Sequence, residues 1–189
     1  MRHSDVSVRD EPSDGEVVRA VLAGDVDRYE VLVRRYRERY ARYAAHLLGS
    51  AAAAEDALQD ALVQAYERLS QCRDPDNFAG WFFLILRNGC FGERRRLARV
   101  GPPLDAVAAA VPAPGDTGAG VERHELRQAL FMALQTLTPE QREVFVLRHV
   151  EELSYEEIAA RTGQTVGALK MRMHRGYDRL RGLLRDHWG

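Results

Sequence analysis

The sequence has almost no surplus of charge of either sign: 27 Lys and Arg stand against 28 Asp and Glu, a net of −1 over 189 residues. A protein that coats nucleic acid unaided neutralises phosphates with surplus cations, so this balance excludes that class. Only two cysteines are present, Cys72 and Cys90. Lacking a Cys-x-x-Cys spacing, they make neither a disulfide framework nor a redox motif. No apolar run approaches the roughly 20 residues of a membrane helix, which excludes membrane insertion. The stretch before Gly15 is polar and acidic, without an apolar core behind a basic head, so the chain is expected in the cytoplasm.

The signs of enzyme chemistry are missing too. His3, His46, His124, His149, His174 and His187 are scattered without metal-ligand spacing, and no glycine-rich phosphate cradle is present. No catalytic residue, metal or cofactor is expected. No alternating apolar pattern bounded by turn signals marks a strand, so the expected fold is all-α.

What is present is uneven. Asp5, Asp10, Glu11, Asp14 and Glu16 outnumber Arg2 and Arg9, making the first fifteen or so residues an acidic tail expected to be disordered. Arg87, Arg94, Arg95, Arg96 and Arg99 meet only Glu93, and Lys170, Arg172, Arg175, Arg179, Arg181 and Arg185 meet only Asp178. Between these basic patches Pro102, Pro103, Pro112, Pro114 and several glycines forbid a continuous helix. The expected organisation is a tail at 1–15, a helical domain at 16–99, a flexible Pro/Gly/Ala-rich linker at 100–121 and a second helical domain at 122–187. The linker could span about 60 Å at about 3.3 Å per residue if extended.

Helix signals are dense. Leu32, Val33, Tyr36, Tyr40, Tyr43, Ala44 and Leu47 recur at three- and four-residue steps up to a stop at Gly49. Ser50 caps the next helix, whose Ala54, Leu58, Leu62, Ala65 and Leu69 form one stripe. A very apolar run, Phe78 to Leu86, then changes abruptly into the first arginine cluster. Further on, Thr138-Pro139-Glu140-Gln141 and Ser154-Tyr155-Glu156-Glu157 read as capping boxes. After the second box, Ala159 is small where two helices would cross, Gly163 suits a positive-φ turn, and Leu169 locks a second helix. This is helix-turn-helix spacing, and the second helix carries cations able to meet phosphates and base edges.

The segments AEDALQDALVQAYERL, FAGWFFLILRNGCFGERRR and LTPEQREVFVLRHVEELSYEEIAARTGQTVGALKMRMHRGYDRL resemble, in that order, regions two and four of bacterial sigma factors of the sigma-70 family. The small extracytoplasmic-function group is the nearest match. The resemblance implies a region 2 bundle and a region 4 helix-turn-helix that bind core RNA polymerase at its clamp and flap and direct it to promoter DNA. Core polymerase would be met by Asp56, Gln59, Asp60, Val63, Gln64 and Glu67. The −10 element, as melted single strand, would be met by Asn77, Phe78, Trp81, Arg87, Asn88, Phe91, Arg94, Arg95 and Arg96. For Trp81, Phe82 and Phe83 core packing is the stronger reading, leaving Asn77, Asn88 and the arginines as the better DNA candidates. The −35 duplex would be met by Thr165, Lys170, Met171, Arg172, His174, Arg175 and Arg179. Ala168, Leu169, Met171 and Gly176 depart from the residues usual in the family. Such factors are typically held inactive by an anti-sigma factor, which joins the implied partners. The alternative reading is a helix-turn-helix repressor or activator that is not a polymerase subunit.

Overall fold

A computed structural model describes residues 11–100 and 131–188. The first ten residues of the acidic tail and almost all of the linker expected at 100–121 lie outside the described residues. Every regular element among the described residues is helical, as the sequence pattern predicts.

The first helix, α1 (Asp14–Leu22), begins inside the stretch read as a disordered tail. Ser13 caps it: its hydroxyl accepts from the Glu16 amide at 3.2 Å, and the Glu16 carboxylate accepts from the Ser13 amide at 2.8 Å. Burial of Val17, Val18 and Val21 gives this short helix the tertiary support that its own propensity would not. The Asp14 carboxylate ties it to the next helix through the Arg35 guanidinium and the Tyr36 hydroxyl.

The second helix, α2 (Tyr29–Leu48), stops at Gly49, whose φ of 76° lies in the left-handed region that glycine enters at no steric cost. Ser50 then caps α3 (Ala51–Glu67), accepting from the Ala53 amide at 3.3 Å. A pair of 3₁₀ turns, Leu69–Gln71 and Pro75–Asn77, leads into α4 (Phe78–Val100). Helices α2, α3 and α4 enclose Tyr40, Tyr43, Leu58, Phe82, Phe83 and Leu86. Inside this core the Tyr40 hydroxyl donates to the Ala79 carbonyl at 3.0 Å, so its one polar atom is satisfied.

The second module opens with a helical stretch at 131–135 and continues with α5 (Pro139–Phe145). Thr138 and Gln141 form the expected capping box, and the chain passes through a π-type turn at Val146–Val150. Ser154 and Glu157 repeat the box at the start of α6 (Tyr155–Thr162). Gly163 ends α6 at φ 70°, and α7 (Val166–Trp188) follows. Ile158, Leu169 and Met173 are buried where α6, α7 and α5 meet.

The two modules share one continuous core. Val144, Val146 and Leu147 are each at most 1% exposed, and because every residue from 142 to 147 is buried, this stretch of helix is enclosed on all sides. The C-terminal end of α2 provides part of that enclosure.

Candidate nucleic-acid interface

The helix-turn-helix is built as its spacing requires. Leu169 and Met173 hold the inner face of α7 in the core. Thr165 caps the helix, its hydroxyl accepting from the Ala168 amide at 3.2 Å. Lys170, Met171, His174, Arg175 and Arg179 stand exposed on the opposite side, with Arg172 half-buried. His174 Nε2 lies 3.6 Å from the Asp178 carboxylate, which also receives Arg181 at 3.4 Å. Such exposed pairs are worth little, so these cations stay available to an anionic ligand.

On α4 and the turn before it, the nine residues expected to meet single-stranded DNA divide. Asn77, Asn88 and Arg95 are exposed, and Arg96 is exposed but paired with Glu93 at 2.6 and 2.8 Å. Trp81 and Phe91 are half-buried. Phe78 is a correction: it is 0% exposed, packed among Tyr36, Trp81 and Phe82, and has no surface to offer a base.

Arg87 and Arg94 are engaged inside the chain. Arg87 grips the Glu143 carboxylate with two nitrogens, at 2.5 and 2.9 Å, and lies over the Phe91 ring at 4.8 Å. The bonds to Glu143 raise the Arg87 pKa further. Glu143 comes from α5 of the second module, is 0% exposed, and also accepts from the Tyr43 hydroxyl at 3.2 Å. Arg94 donates to the Leu47 carbonyl at 2.9 Å.

That same carbonyl receives Arg142 of the second module at 2.8 Å. Arg142 is 0% exposed and also donates to the carbonyls of Leu134, Gln135 and Leu137. Burial, with Arg94 nearby, pulls its pKa down to about 9, still high enough to keep the guanidinium charged at neutral pH. Carbonyls at a helix C-terminus carry partial negative charge, so the end of α2 is a natural seat for two guanidiniums. Arg39 on α2 completes the contact, donating to Glu151 at 2.5 Å.

The acidic face of α3 is open. Asp56, Gln59, Asp60, Val63 and Glu67 are exposed and Gln64 is half-buried. Between α3 and α4 runs a groove of about 570 Å³, lined by Asp56, Asp60 and Gln64 on one side and Ile85, Gly89 and Gly92 on the other. A Cβ at Gly89 or Gly92 would meet nothing within 4 Å, so these glycines leave the groove wide rather than serving close packing.

Comparison with known proteins decides the family. The profile of sigma-70 region 2 matches residues 32–100, and that of sigma-70 region 4 matches residues 127–180. The chain belongs to the sigma-70 family. It is 33% identical to the RNA polymerase sigma factor CarQ of Myxococcus xanthus, over 85% of this chain and 91% of that protein. It is 34% identical to the ECF RNA polymerase sigma factor SigE of Mycolicibacterium smegmatis, over 94% of this chain and 71% of that one. Among solved structures, the sigma factor RpoE in complex with the anti-sigma factor NepR from Bartonella quintana aligns with TM-score 0.62 and 27% identity, covering 83% of this chain and 96% of that one. CnrH, solved in complex with the cytosolic domain of CnrY, shares the fold at TM-score 0.65 and 24% identity, covering 93% and 99%.

This sigma factor therefore falls in the extracytoplasmic-function group, whose members direct promoter-specific initiation of transcription rather than catalyse a reaction. No described helix is long and apolar enough to cross a membrane. Both cysteines are free and buried, and burial raises both thiols, Cys90 to about 12, which suits packing rather than thiol chemistry.

Sequence reasoning missed Arg142 and Glu143, the two buried charged residues among those described. The available signal was their place directly before Val144 to Leu147, a run too apolar for a surface helix. It also missed Tyr66 beside the acidic α3 face, exposed and meeting Tyr29 edge to face at 5.2 Å.

Proposed function

We propose that this sigma factor binds core RNA polymerase through the acidic face of α3 and its apolar neighbours Val63 and Tyr66. It reads the −35 element as duplex with α7, and the −10 element as melted single strand with the loop 72–77 and the exposed side of α4. The observation that carries the reading is the α7 face, where exposed Lys170, His174, Arg175 and Arg179 lie over a buried Leu169 and Met173. A helix so anchored can enter a major groove without disturbing its own core. In the turn before α4 and on its outer side, exposed Asn77 and Asn88 offer amides to the edges of unstacked bases, and Arg95 offers a cation to the strand's backbone.

Arg87 joins that surface only when the modules separate, because Glu143 of the second module holds it, whereas Arg94 is engaged by the Leu47 carbonyl of its own module. An anti-sigma factor is the proposed regulatory partner, supported by the RpoE complex with NepR. A cytoplasmic location belongs to the same proposal, since core polymerase and promoter DNA would be met there. The test is reconstitution of the full chain with core polymerase and transcription from a run-off promoter library. Co-elution with promoter-dependent transcripts is expected. A chain that binds promoter duplex yet neither co-elutes with core polymerase nor supports a transcript would instead be a repressor or activator.

A further inference from the structure

We infer that α1 is the backing of the loop 72–77 and that Gly15 is a positioning residue for base selection there; this rests on the reading of that loop as the −10 recognition element. Both ends of the loop are fixed in the core. Cys72 is buried with its thiol toward the Asp74 carbonyl at 3.4 Å, and Phe78 is fully buried. Between them the turn Pro75–Asn77, closed by the Asn77 amide donating to the Asp74 carbonyl at 3.1 Å, leans on the first turn of α1. The contact is possible because residue 15 has no side chain: a Cβ there would stand 1.9 Å from Asp76 Oδ1, 2.7 Å from its Cγ and 2.8 Å from Arg19 Nη2. Arg19 and Asp76 meet across the seam at 3.4 Å.

The backing is itself rigidly held. Asp14 binds Arg35 and Tyr36 on α2, and Val17 and Val18 have no exposed surface. A side chain at position 15 must therefore displace Asp76 rather than α1. Asp76 is followed by Asn77, whose Oδ1 lies 2.6 Å from where a Cβ would sit at Gly80, so a shift of the Asp76 carboxylate changes the surroundings of an exposed polar side chain at the mouth of α4. Because the Asp76 and Arg19 side chains are 66% and 56% exposed, they can move without opening the core. The effect should fall on selectivity rather than folding.

The test uses the full chain on core polymerase with a promoter library varied one base at a time across the −10 element. Gly15→Ala is expected to change the ratio between the best and second-best base at one −10 position at least several-fold, and Arg19→Ala, which removes only an exposed pair, to change it by less. Core polymerase affinity, −35 preference and melting temperature should stay unchanged. Asp76→Ala and Asn77→Ala serve as loop controls. If these leave the −10 preference untouched, the loop reading itself fails. If they alter it while both α1 variants keep the wild-type preference, or lose activity equally on every promoter, the role of α1 is overturned. Should Gly15→Ala lower the melting temperature, Arg19→Ala carries the test, since its exposed side chain supports no core contact.

Discussion

Removing the Glu143 carboxylate should separate the two modules. In Glu143→Ala the Arg87 guanidinium, in a side chain only 19% exposed, loses both of its charged hydrogen bonds, and the buried Tyr43 hydroxyl loses its acceptor. Deleting one partner of a buried pair costs about 3–5 kcal/mol, and Arg87 recovers part of that by turning toward water, so about 3 kcal/mol is expected. Since Glu143 belongs to one module and its partners to the other, the loss falls on the contact between modules. At about 1.4 kcal/mol per decade the closed arrangement weakens by roughly two orders of magnitude. Small-angle scattering should report a larger radius of gyration, and hydrogen exchange should quicken at the end of α2 around His46 to Leu48. A double cycle with Arg87→Ala isolates the pair, the two changes together costing less than their sum. An unchanged radius and unchanged exchange in Glu143→Ala would refute the claim that this buried pair holds the modules together.

Four further outcomes follow from the same geometry. Arg175→Ala should weaken binding to the −35 duplex by about 1–3 kcal/mol and lower the salt dependence by about one ion, while core polymerase affinity stays constant; equal loss of both would mean α7 is structural. Gly176→Ala should raise stability by about 0.5–1 kcal/mol in urea titration, because the new methyl would meet Phe145 and Gln141 at an ordinary 3.6–3.8 Å; a lower midpoint would show that α7 sits closer to α5 than described. Gly163→Ala should cost about 1–2 kcal/mol, since φ of 70° places a Cβ against the next carbonyl, with Gly163→Asn milder; equal costs would argue against the left-handed cap. Burial, with Arg42 reinforcing it and Glu151 opposing, holds the His46 pKa below the ordinary 6.5. The unfolded chain then takes up the proton first. The stability this residue contributes is present above pH 6.5 and is lost as pH falls through its folded value, at most about 1.4 kcal/mol per unit. Urea midpoints at pH 7 and pH 5 should fall less in His46→Phe than in the parent, and identical falls would exclude His46 as the source.

Much of the local structure was legible because caps and stops act within a few residues. Gly49, Gly163, Ser50, Thr138 and Ser154 each mark a helix boundary where the sequence pattern puts it. The α7 cations and the acidic α3 face were legible as well, since the helical period alone sets which side chains share a face. The short α1 was not, because its three buried valines follow an acidic run and its support comes from Arg35 and Tyr36, some twenty residues further on.

Periodicity and capping thus determine that this chain is helical and which residues each helix turns outward, and the proline-rich break between the basic patches divides it into two modules. Tertiary structure alone decides which of those residues are free. Phe78 sits in the same apolar-to-basic segment as Asn88, yet packing buries one and exposes the other. Arg87 and Arg95 belong to one cluster, yet Glu143 occupies the first and leaves the second in solvent. The reason is that a charge's availability depends on what lies within about 3 Å of it, and for Arg87 that neighbour is 56 residues away along the chain.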